Sequence, residues 1–404
     1  MKIVYSCFTT LGAGGLGLVS FETVRAIYHR QALQRGIFYG NKQSEIPKDY
    51  LRIIRLQPFQ IFSSLPARYY YPLKRIYLDW VTSRIVRREG CDVFHGWTTE
   101  SLQSLKAAQD VGAIGFVERP APHPRFSQAL MDEEYELQGV SRPGRSVPRF
   151  LTRIEASHRD RTVAVEEFAL ANRIIVQSEF CRESFLKEGI PKEKLVVIPR
   201  AVDTDRFVPG PESDEPFRVL FVGQLCFRKG VHYLLEAWDR LKLDRAELWL
   251  VGNVHDEVRR LLGRYASRSS IRVFGHAPDP TKLFQQASVF VLPSIVEGSA
   301  KVTYEAMACG VPVVVTPNAG SVARDGEEGY IVPVRDTVAL ADRIQRLYED
   351  RDHRRTMGLK ARRLMTTHTW SDFRRRMFSA YEEAVANRND RDPAHPRGSG
   401  RAST

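Results

Sequence analysis

Apolar runs rich in β-branched and aromatic residues recur along the chain, with longer mixed stretches between them. The first series is Lys2–Phe8, Leu51–Leu56, Asp92–Trp97, Ala113–Glu118, Arg173–Gln177 and Leu195–Pro199. A polar, proline-containing stretch, Pro209–Pro216, interrupts it. A second series follows: Phe217–Leu225, Glu247–Gly252, Ile271–Gly275, Val289–Pro293, Val311–Thr316 and Gly329–Val332. Short apolar runs of this kind read as strands buried on both faces, and their alternation with helical patterns predicts parallel α/β sheets. Two series joined by a linker predict two Rossmann-like domains facing across a cleft, with boundaries at 1–208 and 209–370. A helix at 371–386 is expected to return to the first domain, and the polar tail 387–404 to be disordered. No repeat of 20–50 residues is evident.

The most informative segment is EGSAKVTYEAMACGVPVVVT, Glu297 to Thr316. It lies between two apolar runs, so it reads as loop, helix and strand in sequence. Ser299 suits an N-cap, Ala300–Cys309 a helix, and Gly310 the position just past its end, with Pro312 unable to continue it. In a parallel sheet such a loop sits at the carboxyl end of a strand, and the helix N-terminus favours anions there. Glu297 falls in the loop and Glu305 on the helix. Carboxylates beside an anion site suit a ligand with phosphates and several hydroxyls, such as a sugar nucleotide. The bland alternative is a solvated loop residue and an exposed helix face.

Two further segments bear on phosphate binding. GAGGLG, residues 12 to 17, follows the first strand and precedes a helix from about Leu18, and fits G-x-G-x-x-G through Gly12, Gly14 and Gly17. The acidic residue expected about 20 positions later is missing, since GIFYGNKQ carries no carboxylate, so a dehydrogenase is weakly supported. The loop reads either as a diphosphate cradle or as a tight turn with close helix packing. FRVLFVGQLCFRKGVHYLLEAW opens the second series, and Arg228-Lys229-Gly230 precedes an amphipathic helix. A lysine there can reach a phosphate; otherwise it belongs to a solvated basic turn.

Composition narrows the classes. At 404 residues and 43% hydrophobic, the chain can build two or three cores. No run of about 18 apolar residues predicts a membrane span, and MKIVYSCFTTLGAGG reads as a first strand, not a signal peptide. The five cysteines are scattered without a CxxC, which suits buried thiols in a reducing compartment and argues against a disulfide frame or zinc site. The net charge of +12 fits nucleic acid, an anionic membrane or a phosphorylated ligand without choosing among them.

Together these residues resemble glycosyltransferase family 4, retaining enzymes of the GT-B fold. EGSAKVTYE is similar to the family's E-x7-E motif and FVGQLCFRKG to its phosphate anchor. VVIPRAVDTDRF (196–207) and GSVARDGEEGYIV (320–332) resemble the flanking segments. The resemblance covers about 1–385 and is densest from 217 to 334. It implies a nucleoside diphosphate sugar donor, UDP- or GDP-linked, and transfer of its sugar to an acceptor hydroxyl with retention, in glycan, polysaccharide or glycolipid synthesis. Glu305 would bind the ribose, Glu297 the donor sugar and Lys229 the diphosphate, beside Gly223, Gly298, Val302 and the helix amides of Ser299, Ala300 and Lys301. Gly14 and Gly15 would close over the phosphates. No metal or other cofactor is implied, because fixed cations and dipoles serve the leaving group.

Two departures stand out. The anchor usually reads G-R-L, but here Gln224 replaces the arginine, and Arg228 or Lys301 is the expected substitute. The family often places a histidine where this chain has Glu118; His123 follows five residues on, and His95 ends another strand. Each is a candidate contact to donor or acceptor, with a structural role as the alternative.

ARYYYPLKRIYLDWVTSRIVRR, 67–88, reads as a core-facing helix with snorkelling arginines, or as a surface that docks on anionic lipid. The expected location is cytoplasmic, at most peripheral to the membrane. Acceptor contacts, to a glycan, a lipid-linked or a small-molecule acceptor, are expected from loops such as Arg119–Val147. A sugar-nucleotide epimerase shares this fold, and a basic nucleic-acid-binding protein is the reading from another class; no RNA-binding aromatic motif or helix-turn-helix pattern supports the latter.

Overall fold

The computed structural model describes residues 1–55, 58–141, 152, 155–211 and 216–391. The expected disordered tail lies outside the described residues from 392 on, as do parts of the 209–216 linker and of the 119–147 loop. In the first half β1 (Ile3–Ser6), β2 (Thr10–Leu11), α1 (Leu16–His29), β3 (Leu33–Phe38), β4 (Gly40–Asn41) and β5 (Leu51–Ile53) come first. There follow α2 (Ala67–Glu89), β6 (Val93–Trp97), α3 (Leu102–Asp110), β7 (Ile114–Arg119) and α4 (Pro124–Leu137). The half closes with α5 (Ala156–Leu170), β8 (Arg173–Val176), α6 (Glu179–Lys187) and β9 (Leu195–Val197).

The second half runs β10 (Phe217–Val222), α7 (Val231–Arg240), β11 (Ala246–Val251), α8 (Asp256–Gly263), β12 (Ile271–Gly275) and α9 (Thr281–Gln286). Then come β13 (Val289–Leu292), α10 (Lys301–Ala308), β14 (Val313–Val315), β15 (Gly329–Ile331), α11 (Thr337–Glu349), α12 (Arg351–Met365) and α13 (Trp370–Arg391).

These strands form two parallel-sheet α/β domains, the GT-B architecture. One sheet has the order β5-β3-β1-β6-β7-β8-β9 and the other β12-β11-β10-β13-β14-β15. The strands are near-continuous apolar runs because helices cover both faces; β13 and β14 are buried throughout. The order reverses direction between β1 and β6 in the first sheet and between β10 and β13 in the second. Loops leaving those strands diverge to opposite faces and open a crevice at their carboxyl ends.

Each strand in the two expected series is present, with ends that differ from the expected ones by up to three residues. The pattern missed β3, whose sequence LQRGIF mixes polar residues with a central glycine. That glycine is used: a side chain at Gly36 would meet the Phe38 ring at 2.9 Å and Leu51 at 3.1 Å. By contacts the chain divides into a unit of Met1–Glu118, Arg153–Ile174 and Arg374–Thr404, and a unit of Arg119–Thr152 and Ile175–Phe373. α13 runs past the expected end at 386, to Arg391. In the first unit, Tyr381 meets His95, Arg374 meets Glu22, and Arg388 donates to the Gly112 carbonyl (2.7 Å).

α2 packs as a core-facing helix, burying Leu78, Ile85 and Val86. Arg87 pairs with Asp110 (3.0 Å), and Arg84 lies 5.0 Å over the Trp80 ring. The five cysteines are free, four of them buried. No helix among the described residues is long and apolar enough to cross a membrane.

Candidate functional site

The second unit's sheet explains why two motifs far apart in sequence meet. Phe227–Lys229 form a single 3₁₀ turn after β10, and the EGSA loop follows β13, so both leave strands that flank the point of reversal. The loops are bonded directly: the Ile295 N–H donates to the Arg228 carbonyl (2.9 Å) and Arg228 Nη1 to the Val296 carbonyl (3.1 Å). Gly230, at φ 70°, permits this approach, since a side chain there would lie 1.9 Å from the Pro293 carbonyl oxygen.

Glu297, Arg228 and Lys229 form one charge cluster. The Glu297 carboxylate is 19% exposed, lies 2.9 Å from Arg228 Nη1 and contacts Lys229 Nζ directly. Burial pushes the Glu297 carboxyl up, but the Lys229 and Arg228 charges outweigh it and hold it below the ordinary value. Burial lowers the Lys229 ammonium, opposed by the Glu297 charge. Two cations share one carboxylate, so the cluster keeps a surplus positive charge that an anion can complement. The solvated-loop alternative for Glu297 is excluded by this burial.

Glu305 is 4% exposed on α10, and Lys301 Nζ lies 2.6 Å from its Oε1. Both border a pocket of about 430 Å³ with Gly223, Gln224 and Val302. The same pocket is lined by Arg206 and Phe207, at the end of the 196–207 segment, and by Asn253 and His276, which lie outside the motifs. Asn253 and His276 stand just beyond the carboxyl ends of β11 and β12. The crevice rule applied to every strand end would have found them. Of the substitutes expected for the arginine missing at Gln224, Lys301 lines this pocket beside it, whereas Arg228 is turned to Glu297.

Ser299 is not the N-cap of α10. Ala300 holds that place without a side-chain cap, and its N–H donates to the Ala319 carbonyl (3.0 Å), so that amide is not open to a phosphate. Ser299 Oγ instead donates to the Gly320 carbonyl (3.0 Å) beside Tyr304 OH (3.1 Å), because the loop must satisfy its buried polar groups. Lys301 and Val302 occupy the first helical positions, whose N–H groups have no partner one turn back.

Gly298 is the pivot of the loop. A side chain there would lie 2.0 Å from the Pro120 carbonyl oxygen, in the loop after β7. Its own carbonyl accepts from Ser178 Oγ (2.5 Å) and Cys181 Sγ (3.1 Å), and Arg200 Nε donates to the Ser299 carbonyl (2.7 Å). α4 supports the cluster from below. Met131 packs with Tyr233, Ile295 and Val296, and buried Glu134 accepts from Arg335 Nε (2.8 Å) beside His232 Nε2 (2.8 Å). His123 precedes α4 and is buried in packing, not in the pocket: its N–H donates to Ser184 Oγ (2.9 Å) and its ring meets Phe185 edge-on at 5.2 Å.

In the first unit, His95 does not face a crevice. It is fully buried, with Nδ1 2.6 Å from Tyr381 OH and Nε2 3.7 Å from the equally buried Glu118. The register explains this: β6 and β7 point His95 and Glu118 into the helix layer that α13 completes. Burial pushes His95 down to about 3 from 6.5. The unfolded chain binds this proton at higher pH than the folded one, so its contribution is full above about pH 6.5 and is lost as pH falls toward 3. Unfolding free energy is expected to fall by about 1.4 kcal/mol per pH unit within that window. Urea midpoints from pH 4 to 7 check it: His95→Gln should flatten the slope, and an unchanged slope would assign the effect elsewhere.

Gly14 and Gly15 are exposed at the start of α1, with nothing within 4 Å of a side chain placed at either; Gly17 is the close contact, 2.3 Å from the Thr10 carbonyl oxygen. Among the described residues no group of three or more His, Cys, Asp and Glu side chains gathers as a metal site.

Residues 43–206 match the family described as Glycosyltransferase Family 4, and residues 216–350 match Glycosyl transferases group 1. The chain is 31% identical over 229 residues to a D-inositol 3-phosphate glycosyltransferase of Corynebacterium jeikeium, across 49% of this chain and 54% of that one. It is 29% identical over 157 residues to the capsular polysaccharide biosynthesis glycosyltransferase CapM of Staphylococcus aureus, across 37% and 41%. The chain thus spans about half the length, or less, of these curated relatives. Among solved structures it resembles sucrose-phosphate synthase of Thermosynechococcus elongatus, with TM-score 0.66 and 20% identity over 96% of this chain and 99% of that one. It also resembles Anabaena HepE in complex with UDP-glucose, with TM-score 0.64 and 17% identity over 95% and 100%.

Proposed function

We propose that this chain, which belongs to glycosyltransferase family 4, moves a hexosyl group from a nucleoside diphosphate sugar to an acceptor hydroxyl with retained configuration. The observation that carries this reading is the cluster in which Lys229 and Arg228 share the half-buried Glu297, next to the pocket bordered by Glu305. The nucleoside enters the pocket, with its ribose hydroxyls on Glu305. The diphosphate lies toward Lys229 and the first amides of α10, and Glu297 contacts the sugar.

The reaction breaks the bond from the anomeric carbon to the diphosphate, whose oxygen keeps the electron pair. Lys229 stabilises the charge that develops there, without any reorganisation at the moment of reaction. The acceptor oxygen attacks from the same face, and its proton passes to the departing phosphate oxygen. In this reading Glu297, held ionised by two cations, orients the sugar and does not act as a nucleophile. Capsular polysaccharide synthesis in CapM and UDP-glucose in the HepE complex favour polysaccharide assembly from a UDP-sugar. We place the work at the cytoplasmic side, with no nucleic-acid partner and no metal requirement.

Thermal unfolding with UDP, GDP, ADP and their sugars tests the donor. A nucleotide at about 100 times its dissociation constant should add about 2.7 kcal/mol of stability. UDP is expected to raise the melting temperature of the parent and not of Glu305→Ala. No shift with any nucleotide would remove the proposal. Product stereochemistry by NMR tests retention.

A further inference from the structure

A second concave site lies in the first unit, away from the motifs. The edge strand β5 and helix α2 enclose a groove of about 690 Å³. Asn41, Ile54 and Arg55 line it just beyond the carboxyl ends of β3 and β5, the side of an open parallel sheet where ligands bind. Arg52 on the edge strand and Lys48 in the turn that precedes it extend the groove, and Tyr77 forms part of its α2 wall. Tyr77 stacks on Trp80, with ring centroids 5.7 Å apart and an interplanar angle of 17°.

The charges are the telling feature. Lys48, Arg52 and Arg55 are all exposed, and among the described residues none has a carboxylate partner. Several other cations of the same unit are paired: Arg25 with Glu45 at 2.8 Å, Arg35 with Glu89 at 3.4 Å and Arg87 with Asp110 at 3.0 Å. Three like charges along one groove repel each other and oppose folding. Such an arrangement is relieved by an anion that brings several oxygens at once. The aromatic and aliphatic wall beside them suits a ring or chain attached to that anion.

We propose that this groove binds a phosphate-bearing ligand, with the phosphate on Lys48, Arg52 and Arg55 and its apolar or ring portion on Ile54 and Tyr77. Resting on the glycosyltransferase reading, that ligand is the acceptor, either a free sugar phosphate or a phosphorylated lipid headgroup. The chemistry shared by the two is a phosphate monoester or diester.

Calorimetric titration of the full chain with inorganic pyrophosphate tests it. The donor site is first silenced with Lys229→Ala, and the remaining binding is expected to weaken about tenfold or more when Arg52→Ala and Arg55→Ala are added. Unchanged affinity, or no binding left after Lys229→Ala, overturns the proposal. Flotation with phosphatidylglycerol vesicles, against phosphatidylcholine, separates the sources. Retention lost in the double variant assigns a lipid phosphate; pyrophosphate binding without retention assigns a soluble phosphorylated acceptor. UDP stabilisation should be the same in Arg52→Ala/Arg55→Ala and the parent. If UDP binds neither while pyrophosphate still needs Arg52 and Arg55, the donor reading fails and the anion site stands.

Discussion

Lys229→Ala is expected to lower kcat by about 10²–10³-fold, the usual loss when one fixed group that stabilises developing charge is removed. Three features of the residue make the effect large. Lys229 is only 8% exposed, so its charge acts where water screens little. It is held by a 3₁₀ turn and by Glu297, so it needs no reorganisation when the phosphate charge develops. It also supplies the surplus positive charge: without it, Arg228 and Glu297 cancel and nothing is left over for a diphosphate. The fold should suffer as well, because a buried carboxylate loses one of two partners. Breaking a buried pair costs about 3–5 kcal/mol, and the remaining Arg228 contact places this variant near the lower end. Lys229→Met, which keeps the methylenes, separates packing from charge. Kinetics and UDP affinity on both variants check the assignment. Retained turnover in Lys229→Met would show that the diphosphate is neutralised by another residue.

Much of this centre was legible because its chemistry is local in sequence. Glu297 and Glu305 interrupt an apolar stretch, which a solvated surface would not require; Glu305 proves buried and Glu297 half-buried and ion-paired. Gly223, Lys229 and Lys301 stand at strand ends and helix starts, which apolar patterning locates to within a residue or two. What was not legible depends on partners remote in sequence. Ser299 looks like an N-cap until Gly320 and Tyr304 arrive to occupy its hydroxyl. His95 looks like a crevice residue until α13 closes over it with Tyr381. His123 could not be placed without α6, whose Ser184 and Phe185 fix it. Asn253 and His276 carry no motif of their own, since each comes from a different loop and is selected only by the sheet order. β3 was hidden by a glycine whose reason is the Phe38 ring on the same strand and Leu51 on the neighbouring β5.

Gly298 gives the sharpest test of those remote contacts. A methyl group there would stand 2.0 Å from the Pro120 carbonyl oxygen, 2.8 Å from its carbon and 3.1 Å from the Ala121 Cα. All three are backbone atoms, so no rotamer change can relieve the overlap, and one loop must move. The EGSA loop cannot yield freely, because its carbonyls are held by Ser178, Cys181 and Arg200. Gly298→Ala is therefore expected to cost about 1–3 kcal/mol, as overpacking does, seen as a lower melting temperature. The catalytic cost should be larger. Glu297 is the adjacent residue, and a displacement of about 1 Å at a reacting centre costs about 10²-fold in rate. The pocket proposed for the nucleoside lies further along, at Lys301 and Glu305, so UDP affinity should change much less than kcat. Gly14→Ala is the control for stability, since a side chain there meets nothing within 4 Å. Equal melting temperatures for Gly298→Ala and Gly14→Ala, with kcat preserved in the former, would mean that the loop after β7 does not hold the glutamate loop in solution. A fall in UDP affinity matching the fall in kcat would place the damage in α10 and not at Glu297. The expected split, with kcat lost and nucleotide binding kept, ties the packing of a single glycine to the position of the carboxylate that we propose meets the sugar.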